Sequence, residues 1–144
     1  MAQPILRVHT GLPLIKERVA RLFLARRDGK ADDLLTIFAP ECSYRLICDP
    51  RLFPKVGPFY GHTEILESFR ACDQILEYID TIVVDMIVDE RRAVVRRHAT
   101  IRSRETGNVG EFEIADLLEF RDGMITKMTQ FVDTASLGLL VGRI

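Results

Sequence analysis

Apolar and polar residues alternate along the C-terminal half of the chain. From Glu111 to Phe120, Phe112, Ile114, Leu118 and Phe120 hold one phase while Glu111, Glu113 and Glu119 hold the other. This period of two is the mark of a half-buried strand. Similar patterns predict strands at about 79–88, 92–104 and 124–132, divided by the turn signals Asp89-Glu90-Arg91, Glu105 to Gly110 and Arg121-Asp122-Gly123. The N-terminal half runs on a different period. From Leu14, the residues Ile15, Val19, Leu22 and Phe23 recur at helical spacing, with Arg18, Arg21, Arg26 and Arg27 largely between them, up to a stop at Asp28-Gly29. A second helix is expected from Ala31 to the break at Pro40, and a third from about Thr63 to Leu76. Between them Cys42 to Cys48 reads as a strand with Tyr44 and Leu46 on one face. Residues 1–13 read as an irregular lead-in. The loop from Asp49 to Gly61, rich in proline and aromatic residues, is expected to pack and to rim a pocket. Asp133-Thr134 caps a short last helix. Helices followed by runs of hairpins make the fold class α+β.

The length of 144 residues fits one domain spanning 1–144 with a sizeable core. Lys plus Arg number 20 against 21 for Asp plus Glu, so no global field draws nucleic acid or an anionic membrane, and neither is expected as a partner. No apolar run approaches the roughly 18 residues of a membrane span, and the start lacks the sections of a signal peptide, so a cytoplasmic location is expected. Cys42 and Cys48 would stand about 20 Å apart on an extended strand, too far to bridge. With Cys72 they read as free thiols, and no metal site is expected.

One residue breaks the alternation. Asp116 lies on the apolar phase of its strand, where an unpaired carboxylate is too costly to be incidental. On the strand 92–104 the core phase is Ala93, Val95, Arg97, Ala99, Ile101 and Ser103, with Arg97 its single charge. A register set by a Glu105 to Gly110 connection pairs Arg104 with Glu111, Arg102 with Glu113 and Arg96 with Glu119 on the outer face. It also sets Ala99 opposite Asp116, with Arg97 on the diagonal. For the last hairpin a two-residue Asp122-Gly123 turn would bring Lys127 and Thr129 beside Asp116. A three-residue turn would bring Met124, Met128, Gln130 and Val132, and it is preferred because that phase carries no charge. The inner face then gathers Arg97, Asp116 and Gln130 among Ile114, Leu118, Phe120, Met128 and Val132, with Tyr44 and Leu46 from the first strand. A few polar groups in an apolar concavity is the composition of a small-molecule site. Asp116 is there a general acid or base with Arg97 beside it, or the two are a buried ion pair that holds strand register. Both readings stand at this point.

The succession of helices and strands, the approach Phe59-Tyr60-Gly61 to a helix, and the ending Phe120-Arg121-Asp122-Gly123-Met124-Ile125 … Phe131-Val132-Asp133-Thr134-Ala135 resemble the nuclear-transport-factor-2-like superfamily. Within it the chain looks most like SnoaL-type and ketosteroid-isomerase-like proteins. The resemblance implies a cystatin-like α+β roll: a cone-shaped, mixed but mostly antiparallel curved sheet that encloses the N-terminal helices. It implies a small apolar or weakly polar ligand inside the cone, acid/base proton transfer of isomerase, cyclase or dehydratase type, no cofactor, and a homodimer through the outer sheet face. A binding or interaction protein of the same fold is the alternative. Asp116 matches the strand aspartate of the ketosteroid isomerases' oxyanion hole, a carboxylic acid that its apolar site keeps protonated in those enzymes. Their oxyanion tyrosine would fall near Leu22 or Phe23, and their base near Leu46. Relatives that hydrolyse limonene epoxide carry Arg-x-Asp on one strand and Asp on the last, where this chain has Arg97-x-Ala99 and Gln130.

Overall fold

The computed structural model describes residues 3–53 and 55–144, with side chains from Pro13 onward. Among these residues the order is α1 (Gln3–Arg27), a 3-10 helix (Ala31–Thr36), β1 (Phe38–Ile47), β2 (Phe59–Tyr60), α2 (Gly61–Ile75), β3 (Leu76–Val88), β4 (Arg92–Ser103), β5 (Val109–Arg121), β6 (Met124–Val132) and α3 (Thr134–Val141). The strands form one six-stranded sheet in the order β2-β1-β6-β5-β4-β3. All neighbours are antiparallel except β1 and β6, which are parallel. Register shifts in β1/β6, β3/β4 and β5/β6 supply the bulges that bend such a sheet. The result is an α+β cone with α1 and α2 in its hollow.

The stripe read from helical spacing packs as expected: Ile15, Val19, Leu22 and Phe23 are all buried. Two N-terminal expectations need correction. The helix α1 starts at Gln3 and passes through Pro13, so it takes in most of the supposed lead-in, of which Met1 and Ala2 lie outside the described residues. The segment after Ala31 makes only a 3-10 helix, and β1 begins before Pro40. Pro40 falls where the register of β1 on β6 shifts between Phe38 and Ser43, an irregularity that tolerates a missing N–H.

The β4/β5 hairpin has the right faces and the wrong register. Val95, not Ala99, stands opposite Asp116, a slip of four residues. An even slip keeps every side chain on its own face. Arg97 lies midway between those positions and stays on the diagonal of Asp116 either way. The outer charges did change partners: Arg102 and Arg104 reach Glu77 on β3, Arg96 reaches Glu113 diagonally, and Glu119 takes Lys127. In the β5/β6 hairpin the turn is the two-residue one, with Arg121 paired to Met124 and positive φ at Asp122 and Gly123. A bulge beside Glu119 then adds one residue, so Gln130 faces Asp116 and Met128 faces Leu118, as the longer turn would have set them. Ile125, not Met124, is the buried residue near the turn.

Among the described residues no helix is long and apolar enough to cross a membrane.

Candidate functional site

Five adjacent strands each contribute one polar side chain to a single hydrogen-bonded rung across the concave face. On β5, Asp116 accepts from Arg97 Nε on β4 at 2.7 Å, from Arg97 Nη2 at 3.5 Å, and from Gln130 Nε2 on β6 at 2.9 Å. Arg97 Nη1 donates to Thr81 Oγ1 on β3 at 3.3 Å. On β1, the Tyr44 hydroxyl donates to Gln130 Oε1 at 3.0 Å. The direction of every bond follows from the charges at one end. A carboxylate only accepts, so the amide of Gln130 must turn its NH2 toward Asp116 and its oxygen toward Tyr44. Tyr44 is thereby the donor, and its lone pairs stay available. Burial pushes the Tyr44 phenol well above its usual range, which keeps the proton on it.

The ion pair is sealed. Arg97 is 1% exposed and Asp116 is 0% exposed, and the Phe23 ring from α1 lies 4.1 Å from the guanidinium carbon, stacked as a cap. Among the described residues no buried side-chain nitrogen or oxygen lacks a partner. Such a pair holds register and orients its neighbours, and losing either member would strand a buried charge.

The rung divides the interior. On one side Leu118, Phe120 and Met128 pack with α1, the 3-10 helix and the start of β1 into a closed core. On the other side a cavity of about 440 Å³ opens beside Leu46, Ile101, Ile114 and Val132, with Leu137 of α3 at its far wall. Of the residues expected to bind a ligand, Tyr44, Leu46, Gln130 and Val132 line this cavity. Leu118, Phe120 and Met128 do not, because α1 fills the cone on their side of the rung. Asp116 and Arg97 are not in the wall either: Gln130 and Tyr44 stand between them and the space. The loop after β1 closes one flank, where Val56 O accepts from Leu46 N at 2.8 Å. A Cβ at Gly57 would meet the Tyr44 carbonyl at 2.8 Å, so only glycine permits this approach. The Asp133 side chain caps α3 through Ser136 N–H and thereby positions Leu137.

Two polar groups in the wall were missed by sequence reasoning. Arg26, near the end of α1, is only 7% exposed and faces the cavity, held by Asp73 through Nη1 at 3.2 and 3.3 Å and stacked on Phe69 at 4.2 Å. Its position was readable, since it continues the stripe of Val19, Leu22 and Phe23 at spacings of seven, four and three. Tyr78 of β3 also lines the space, and burial raises its phenol. The three cysteines are free, and burial raises the thiol of Cys72 in the cavity wall. Among the described residues no group of three or more His, Cys, Asp or Glu is placed to hold a metal ion.

Residues 19–128 match the family model of the SnoaL-like domain. Among solved structures, an isomerase candidate from Rhodopseudomonas palustris is similar at 19% identity and a TM-score of 0.76, covering 87% of this chain and 93% of its own. A protein with a ketosteroid isomerase-like fold from Catenulispora acidiphila, in complex with trimethylamine, gives 16% and 0.75, over 88% and 92%. An LEH-like epoxide hydrolase from M. tuberculosis gives 12% and 0.71, over 91% of each chain. No match was found among curated proteins. Likeness at these identities establishes the fold, which hosts more than one chemistry.

Proposed function

The chain belongs to the SnoaL-like domain family, and we propose that it binds a small, largely apolar molecule in the hollow half of its cone, against the wall made by Tyr44 and Gln130. The observation that carries this reading is the cavity of about 440 Å³, apolar over most of its wall and within the size range of small-molecule sites. Tyr44 presents lone pairs, so a ligand hydroxyl or N–H would donate to it. Arg97 and Asp116 are positioning residues in this reading: they fix the amide of Gln130, which fixes Tyr44. The test is a fluorescence titration with the neutral probe N-phenyl-1-naphthylamine. Saturable binding to the wild-type protein that Val132→Phe abolishes supports the reading, and equal binding by the two proteins refutes it.

A second reading is favoured by the hydrogen-bond chain itself. Wired to a buried carboxylate through Gln130, Tyr44 has its lone pairs fixed toward the cavity, where a substrate hydroxyl would donate to it during proton transfer of isomerase, cyclase or dehydratase type. Asp116 would then position Tyr44 through Gln130 and not act by contact, and since a general base must reach the proton it takes, that part would fall to Glu64 or Glu67, the carboxylates that border the cavity. Deuterium exchange at the α-carbons of a panel of cyclic α-hydroxyketones distinguishes the readings. Exchange that Tyr44→Phe removes supports catalysis, and no exchange above the buffer rate leaves binding alone.

For assembly, we propose a homodimer through the outer sheet face. Ile87, Val94 and Leu117 are exposed and directly opposite one another across β3, β4 and β5, a row of apolar side chains outside the cone. Leu117→Lys should convert a dimer to a monomer in light scattering, and a wild-type monomer would dispose of the proposal.

A further inference from the structure

The wall of the cavity contains a cation with unspent hydrogen-bonding capacity. Arg26 carries five N–H donors, and those on Nη1 go to the carboxylate of Asp73. The Cys72 thiol, a weak acceptor, lies against the guanidinium, and among the described residues no oxygen engages Nε or Nη2, yet no buried side-chain nitrogen is without a partner. Those N–H groups are therefore open to the cavity that Arg26 lines. The flat face of the guanidinium is occupied by Phe69 at 4.2 Å, with the Tyr78 ring at 5.5 Å. Its edge remains, and the edge is where a guanidinium grips a carboxylate in its own plane.

Among the described residues no carboxylate other than Asp73 is paired to Arg26. The Cys72 thiol beside it is kept protonated by burial, as are the phenols of Tyr44 and Tyr78. Glu64 and Glu67 also border the cavity and are exposed, with Glu64 turned back to the Tyr60 N–H. Lys55 adds a positive charge to the border. Asp73 is half-buried, and Arg104 lies close enough to act on it electrostatically, so it is not left alone if Arg26 turns to a ligand.

Building on the cavity reading above, we infer that Arg26 is an anion subsite and that the ligand is a small aromatic or alicyclic acid, its carboxylate or ionised enol oxygen on the edge of Arg26 and its apolar body against Ile75, Ile101 and Ile114. A ligand of this class needs both halves of the site. The acid group alone leaves the apolar wall unfilled, and the ring alone leaves the cation without a counter-charge other than Asp73.

The experiment compares two probes of one scaffold, N-phenyl-1-naphthylamine and 8-anilino-1-naphthalenesulfonate, which differ by a single anionic group. Against wild type, Arg26→Met weakens the sulfonate about tenfold, the value of one charged hydrogen-bonded contact, and leaves the neutral probe within about twofold. Asp73→Asn removes the competing carboxylate, keeps the cation, and strengthens sulfonate binding by about threefold or more. A purely structural Arg26–Asp73 pair predicts the opposite pattern: both probes fall together in Arg26→Met, and Asp73→Asn changes neither or weakens both. That pattern overturns the subsite. If Arg26→Met does not fold, Asp73→Asn decides the matter, and an unchanged sulfonate affinity there overturns the inference. A wild-type protein that takes the neutral probe and refuses the sulfonate overturns the anion subsite alone. One that binds neither overturns the cavity reading and the subsite with it.

Discussion

The two halves of the cone share strands β1, β4, β5 and β6 and differ in what lies against them. In the packed half Leu22, Phe38, Leu118, Ile125 and Met128 are each at most 1% exposed, because α1 and the 3-10 helix fill the curve of the sheet. In the hollow half Ile101 and Ile114 are also buried from bulk water, but they face a cavity rimmed by α2, the loop after β1 and α3. A curved sheet makes a concavity along its whole length, and the elements laid into it decide where space remains. The polar rung from Thr81 to Tyr44 is the border. On the packed side it is sealed by Phe23, and on the hollow side it shows Tyr44 and Gln130.

The largest expected effect is at the border. Asp116→Ala should cost about 3 to 5 kcal/mol in urea denaturation, by leaving Arg97 buried and unpaired. The double variant Arg97→Met/Asp116→Leu should recover most of that, and a single variant as stable as wild type would deny the pair its structural role. Next comes the contrast between the halves. Leu118→Ala should cost about 3 kcal/mol, whereas Ile101→Ala should cost about 2, because a side chain lining a void starts with fewer contacts to lose. Equal losses would erase the distinction. Gln130→Leu, which takes a partner from both Asp116 and Tyr44, should cost about 2 kcal/mol. It should also weaken binding of the neutral probe if Tyr44 then swings into the cavity.

The smallest effect is a pH dependence at the cap of α3 in the hollow half. The Ser136 hydroxyl and then its N–H hold the Asp133 carboxyl below its ordinary value of 3.8. A depressed folded pKa means that the charged cap stabilises α3 fully above 3.8, and that this contribution fades as pH falls from there through the lowered value. Asp133→Asn keeps a capping oxygen without the titration, so its unfolding midpoint should fall less than wild type over that acid range. Identical acid profiles would deny the cap a role in acid stability.

Much of the border was legible from period alone. Arg97, Asp116 and Gln130 share a face in any register that slips by an even number, so their meeting survived a β4/β5 register wrong by four residues. The wrong register came from pairing charges across only two strands. Arg102 and Arg104 go to Glu77 on β3, which local alternation in one hairpin does not reveal. The β5/β6 turn misled for a related reason: a bulge at Glu119 gives a two-residue turn the register of a three-residue one. Where along the concave face the cavity lies was not legible. Leu118 and Ile114 are inward apolar positions on either side of Asp116, and only the lie of α1 makes one a core residue and the other a wall.

Xenon pressure on a crystal of the protein tests the division directly, because xenon enters apolar space that has room for it and leaves close-packed cores empty. Xenon density is expected beside Ile101, Ile114 and Val132, and none among Leu22, Leu118 and Met128. Xenon on the α1 side of the rung, or none on the side of Ile114, would contradict the division of the cone into a packed and a hollow half.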